Sequence, residues 1–246
     1  MTSPGARDIR VYPSLEKLSR AAAEELANIA HAAARDRDRF TLALSGGQTP
    51  RLLYQLLARE HRAVIPWRKT EIFWGDERYV SPDDPHSNCR MAKESMLDHI
   101  PIPRHHLHPM PTLLPDPEEA AEAYEETLML HFPGRWPRFD LILLGMGPDG
   151  HIASLFPHNI VLEEEARVVA AVRDDRATPP LRHTLTLPAI NHAANIHFLI
   201  AGKSKSPALH RALAPNANPK SSPAAAIKPI DGHLIWWLDQ PASAQL

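Results

Sequence analysis

His151 and Asp149 are separated by one residue in the stretch LILLGMGPDGHIASLFP, which follows an apolar run directly. An imidazole both accepts and donates protons near neutral pH. Gly145, Gly147, Pro148 and Gly150 read as a tight turn that clears space around it. His151 is therefore a candidate for acid–base work, well chosen for ester hydrolysis, against the alternative of a structural histidine after a strand. Backbone N–H groups of the same turn are candidate donors to a tetrahedral oxyanion. No GxSxG motif is present, and Cys89, the only cysteine, lies in a polar segment expected to be helical, so no Ser or Cys nucleophile competes.

Three further loops carry chemistry. SGGQTP, opening at Ser45, offers Gly46 and Gly47 for close backbone approach and a following helix whose free N–H groups and positive end suit an anion. It lacks the lysine of a P-loop and the third glycine of a dinucleotide fingerprint, so a single phosphate fits better than a nucleotide. GDERYV contributes Asp76 and Arg78, AGKSK contributes Lys205, and PPLRHTLTLP contributes Arg182. Arg presents a planar fork to such an anion, Lys a point charge. A histidine cluster, His99, His105, His106 and His108 in DHIPIPRHHLHPM, has irregular spacing broken by prolines and neither HExxH nor a cysteine partner. The sequence assigns no metal.

The elements that must position these loops are short and alternate. Leu15, Leu18, Ala22, Leu26 and Ile29 recur at helical spacing behind Ser14, a candidate N-cap, and predict a first helix ending near RDRDR. Apolar runs at Phe40–Leu44, Glu71–Trp74, Phe139–Leu144, Val168–Val172, Ile196–Ile200 and Leu234–Leu238 have strand length. Thr49-Pro50 reads as N-cap and first residue of the helix holding Leu52, Leu53, Leu56 and Leu57, and Asp116-Pro117-Glu118-Glu119 opens another. Continuous apolar strands alternating with helices predict an α/β fold, a mostly parallel sheet with helices on both faces. In such a sheet ligands gather at the carboxyl ends of the strands, where SGGQTP, GDERYV, GMGPDGH and AGKSK all fall.

Composition narrows the classes. With 43% hydrophobic and 23% charged residues and no shift in composition along the chain, one globular domain over 1–246 is expected. The 27 Lys and Arg are scattered among 29 Asp and Glu, so no basic footprint for nucleic acid exists. MTSPGARDIRVYPS has no apolar core of an export signal, no run reaches membrane-spanning length, and a lone cysteine fits a reducing compartment, so a cytoplasmic protein is expected. Nothing in the sequence specifies an oligomeric partner.

LALSGGQTP, FWGDERYVSPDDPHSN, LILLGMGPDGHIASLFP, RHTLTLP and FLIAGKSK, in this order and approximate spacing, resemble the 6-phosphogluconolactonases across nearly the whole chain. The wider superfamily includes glucosamine-6-phosphate deaminases, which share the glycine loop, the acidic pair and DGHIA. The deaminases typically continue with FNEPG, whereas Ser154-Leu155-Phe156-Pro157 follows here and looks like the lactonase form. The resemblance implies a Rossmann-like fold related to the deaminases and hydrolysis of 6-phospho-D-glucono-1,5-lactone, a small-molecule sugar phosphate, without a cofactor. It implies that His151 is catalytic with Asp149 a close participant, and that Gly46, Gly47, Arg78, Arg182 and Lys205 hold the substrate. Ser45 and Asp76 in the same loops are added as substrate contacts. Gln48, His158 and His183 depart from the family's usual residues, Ser or Arg, Gly, and an aliphatic side chain. The alternatives are a deaminase-like isomerase, or a non-catalytic sugar-phosphate sensor, which is expected to carry a basic helix-turn-helix that this sequence does not show.

Overall fold

The computed structural model describes residues 8–246, so the first seven residues of the N-terminal stretch considered above lie outside the described residues. Ten strands occur among the described residues: β1 (Asp8–Tyr12), β2 (Phe40–Leu44), β3 (Thr70–Trp74), β4 (Asp76–Arg78), β5 (Leu107–His108), β6 (Leu141–Leu144), β7 (Val169–Arg173), β8 (Leu181–Leu185), β9 (Asn195–Ile200) and β10 (His233–Asp239). The helices are α1 (Leu15–Arg37), α2 (Gln48–Glu60), α3 (Asn88–Ser95), α4 (Pro117–His131), α5 (Leu187–Asn191) and α6 (Ser206–Leu213). Seven strands form one parallel sheet in the order β1-β10-β9-β6-β2-β3-β5, and β4-β8-β7 form a small antiparallel sheet. Among the described residues no helix is long and apolar enough to cross a membrane.

Burial explains the layering. All five residues of β2 and all four of β6 are buried, as expected of central strands covered on both faces. β1, by contrast, alternates between partly buried and exposed positions at the sheet edge and has no strong apolar run, which is why its strand was not anticipated. Helix α1 starts at Ser14, whose hydroxyl accepts from Lys17 N at 3.3 Å, and buries Leu18, Ala22, Leu26, Ala30 and Ala33 along one face. Helix α4 opens as expected, with the Asp116 carboxylate accepting from Glu118 N at 2.8 Å.

Two expectations shift. Helix α2 begins at Gln48, capped by Gly47 rather than by Thr49, because Gly47 adopts a φ of 104° that lets the chain turn from β2 into the helix at once. The run at Val168–Val172 becomes β7, but it joins the antiparallel sheet rather than the parallel one. A run of alternating length and burial does not reveal which sheet receives it.

The parallel sheet changes its direction of winding at β2. From β2 the chain proceeds through α2 to β3 and β5 on one side, whereas β6, β9 and β10 are laid down on the other. The carboxyl ends of β2 and β6 therefore diverge into a crevice. Two buried tyrosines fix that edge. Tyr54 of α2 accepts a hydrogen bond from Ser45 N at 3.0 Å and donates to Ser45 O at 2.8 Å. Tyr124 of α4 accepts from Trp74 N at 2.9 Å and donates to Trp74 O at 3.3 Å. Burial pushes both phenols up, so they remain protonated donors. Tyr54→Phe leaves the buried main chain of Ser45 without its partners and should cost about 1–3 kcal/mol, read as a lower urea midpoint at unchanged m-value.

Candidate functional site

A cleft of about 420 Å³ opens at this crevice. Its walls come from all four loops expected at the strand ends: Ser45 to Pro50 after β2, Asp76 and Arg78 after β3, Gly145 to Pro148 with His151 after β6, and Leu199 to Ala201 with Lys205 after β9. Arg182 reaches it from β8. Of the residues singled out from sequence, Ser45, Gly46, Gly47, Asp76, Arg78, His151, Arg182 and Lys205 all line the cleft. Asp149 does not line it but stands behind the imidazole, its Oδ1 2.6 Å from His151 Nδ1.

Burial alone would raise the Asp149 carboxyl, but the hydrogen bonds and charge of His151 outweigh it and bring it down to about 2. An ionised carboxylate only accepts hydrogen bonds, so the ring proton belongs on Nδ1 and the Nε2 lone pair is left for a water. The pair is wedged onto Gly147, where a Cβ would lie 2.2 Å from His151 Nδ1 and 2.4 Å from Asp149 Oδ1. The turn's N–H groups are less free than its sequence led one to expect. Gly147 N donates to His151 O at 2.8 Å and Gly150 N to Gly147 O at 3.0 Å, so these two shape the turn and are not open to an oxyanion.

The small antiparallel sheet sorts its residues by alternation. Arg78 and Arg182 are directly opposed across β4 and β8, and neither is ion-paired to a carboxylate among the described residues. Like charges directly opposite one another in a ladder are destabilising. An anion between them removes that penalty. Arg182 is 6% exposed and is tethered by Nε to Pro179 O at 2.7 Å. Burial holds its guanidinium below the ordinary value, opposed by Asp76, with Arg78 pushing in the same direction as burial. Lys205 is also held down by burial, with Asp149 opposing. The cleft thus concentrates cations that have no carboxylate ion-pair partner among the described residues.

Asp76 and Glu77, adjacent in sequence, do different work. Asp76 faces the cleft, its Oδ2 accepting from Ser154 Oγ at 2.8 Å. Glu77 points the other way and closes the start of α3, accepting from Asn88 N and Cys89 N at 2.7 Å each and from Ser87 Oγ at 3.1 Å. Burial raises the Glu77 carboxyl while these backbone donors pull it back.

Sequence reasoning missed Asn88 and Ser154. Asn88 donates through Nδ2 to Asp76 O at 2.9 Å, and its Oδ1 occupies the space that a side chain on Gly46 would need. Its signal was present in FWGDERYVSPDDPHSN as the asparagine that ends the motif. Of the three departures from the family's usual residues, Gln48 lines the cleft, whereas His158 and His183 do not. His158 sits at φ 62°, a backbone position that favours glycine. His183 faces away from the cleft, fully buried, with Nε2 2.8 Å from Pro117 O.

Fold and cleft together define an α/β protein with an anion-competent site at the switch point of its parallel sheet. The chain belongs to the family described as glucosamine-6-phosphate isomerases/6-phosphogluconolactonase, whose profile matches residues 13–236. It is 49% identical over 214 residues to a 6-phosphogluconolactonase of Synechocystis, covering 86% of each chain. It is 39% identical to a 6-phosphogluconolactonase of Mycobacterium tuberculosis, covering 97% of this chain and 98% of that one. Among solved structures, the 6-phosphogluconolactonase of Trypanosoma brucei superposes with a TM-score of 0.88 at 30% identity, over 98% of this chain and 99% of the other. A monomeric glucosamine-6-phosphate deaminase shares the fold, with a TM-score of 0.82 at 22% identity over 97% of this chain and 100% of the other.

Gly147→Ala should displace the His151–Asp149 pair and cut kcat by at least about tenfold in a protein that still folds, with near-ultraviolet circular dichroism as the check on folding. Because Asp149 titrates near 2, it stays ionised from mildly acidic pH upward. A fall in kcat/KM between pH 8 and pH 5 then reports protonation of another group. Asp149→Asn should lower kcat by about tenfold or more across that range; a fall confined to one end of the range would show that Asp149 titrates there.

Proposed function

We propose that this protein hydrolyses 6-phospho-D-glucono-1,5-lactone to 6-phosphogluconate, the lactone-opening step of the oxidative pentose phosphate pathway, in the cytoplasm. The observation that carries the reading is the carboxylate-backed imidazole of His151 in the same cleft as Arg78, Arg182 and Lys205. A cyclic ester bearing one phosphate needs a base at one end of the site and cations at the other. The sequence SLFP after DGHIA and the kinship to lactonases favour this substrate over an amino sugar phosphate.

Neutral His151 takes a proton from water as the oxygen attacks the lactone carbonyl. The tetrahedral intermediate collapses with cleavage of the bond to the ring oxygen, and the imidazolium returns the proton to that oxygen. Water supplies the new carboxylate oxygen, the balance of atoms requires no other reactant, and no cofactor takes part. Asp149 holds the imidazole in one tautomer and offsets the imidazolium charge that forms. Arg78, Arg182, Lys205 and the free N–H groups at the start of α2 bind the phosphate. Their binding energy fixes the distant carbonyl near the base.

The decisive assay is hydrolysis of freshly generated lactone, followed above its spontaneous opening. His151→Ala should lower kcat by about 10²–10⁴ with little change in affinity for product, and Arg78→Ala or Lys205→Ala should chiefly raise KM. Ammonia release from glucosamine 6-phosphate without lactone hydrolysis would reassign the reaction, and near wild-type turnover in His151→Ala would remove that residue from it.

A further inference from the structure

Away from the cleft, at the β5 edge of the sheet, three groups with metal-binding chemistry converge. Glu71 lies in β3, His108 in β5, and His131 ends α4. One ring nitrogen of each histidine and one Glu71 oxygen lie within 4.8 Å of one another. None of the three lines the cleft.

The β3–β5 register sets Phe73 opposite His108, and Glu71, two residues before Phe73, shares that face of the strand. His108 stacks on Phe73 with ring centroids 4.6 Å apart, and His131 meets His108 at 4.1 Å. His108 Nε2 lies 2.7 Å from Glu71 Oε2. Phe73, Phe132 and Phe139 pack behind the cluster, so the groups stand at the edge of an apolar wall with only partial access to water.

Backbone contacts set the tautomers. His131 Nδ1 donates to Thr127 O at 2.8 Å, which leaves the lone pair of the neutral ring on Nε2. His106, one step away, is held in the same fashion, its Nδ1 3.1 Å from Thr70 O and its Nε2 3.7 Å from Glu71 Oε1. An imidazole whose second nitrogen donates to a carbonyl is the arrangement that orients metal-binding histidines.

We propose that Glu71, His108 and His131 form a binding site for a divalent transition-metal ion, with zinc the best match to two imidazoles and one carboxylate. Bonds of about 2.0–2.2 Å to such an ion require neighbouring ligand atoms about 3.3 Å apart. The His108–Glu71 hydrogen bond opens slightly, and the His108 proton moves to Nδ1. The fourth position goes to water or, after a small swing, to His106. Arg39, which donates to His131 O at 2.7 Å, places a positive charge nearby and offsets part of the carboxylate's attraction. The ion would tie the edge strand β5 to β3 and to the end of α4. Spacing within DHIPIPRHHLHPM gives no sign of this, because two of the three ligands lie outside that segment.

The test is zinc binding by the full chain after chelator treatment and removal of the chelator, measured by competition with a chromophoric indicator. One zinc per chain is expected, with a rise in melting temperature on addition of zinc. His131→Gln and Glu71→Gln should each weaken binding by at least about tenfold, whereas His105→Ala, on an exposed neighbour, should leave it unchanged. Cobalt substitution should give the intense visible bands of a four-coordinate site, lost in His131→Gln. His108→Gln is less informative, because that ring is packed on Phe73. Absence of stoichiometric zinc binding by the wild-type chain would overturn the proposal. So would an unchanged affinity in both His131→Gln and Glu71→Gln, since the ion would then sit on other histidines.

Discussion

Everything at the cleft depends on the reversal of winding between β2 and β6. Two strands buried on both faces lie side by side and parallel, and the order of strand addition reverses between them, with β3 and β5 added beyond β2 and β9 and β10 beyond β6. The segment after β6 reaches over to the β3 side, where β8 pairs with β4 and Ser154 Oγ donates to Asp76 Oδ2, and the cleft lies beneath it at the strand ends. Tyr54 and Tyr124 then remove the remaining freedom at the carboxyl edge by occupying both main-chain hydrogen-bonding groups of Ser45 and of Trp74. Chemistry is thus placed on rigid strand ends, and the loops need only supply side chains.

Charge completes what topology begins. The cleft gathers Arg78, Arg182 and Lys205, with Asp76 the buried acid in the cleft wall, itself held by Ser154 and Asn88. Burial disfavours the charged forms of Arg182 and Lys205. Two opposed guanidiniums and a half-buried ammonium are a poor arrangement for stability alone. They are a good one for a dianionic phosphate, which restores to each cation the partner that folding denies it.

The sequence conveyed the parallel α/β class, the strand-end loops and the closeness of His151 to Asp149 because each is written in consecutive residues. GMGPDGH carries strand end, turn, carboxylate and imidazole within a single turn, and the His151–Asp149 contact spans two positions. The small antiparallel sheet was harder to see, since β4, β7 and β8 are brought together from distant segments and β4 is three residues long. Its alternation nevertheless decides the site. Arg182 reaches the cleft while His183, its neighbour, is buried against Pro117, and Asp76 enters the cleft while Glu77 caps α3. A pair of adjacent acids in a sequence carries no mark of which one faces the ligand until the strand's two faces are known.

The same reasoning separates the two histidine-rich parts of the molecule. At His151 the orienting carboxylate is local, so the pair is legible and its geometry is set by a glycine that no side chain can replace without collision. At His108 the carboxylate comes from the neighbouring strand and the second imidazole from the last turn of a helix, so the grouping exists only after β3, β5 and α4 have packed. Each of its parts has a mundane local role: Glu71 accepts from His108, and His131 donates to the helix carbonyl four residues back. What sets the cluster apart is that these roles still leave one ligand atom from each of the three residues within 4.8 Å of the others. Tertiary packing, rather than motif spacing, therefore creates it, as ladder register rather than composition creates the opposed arginines of the cleft.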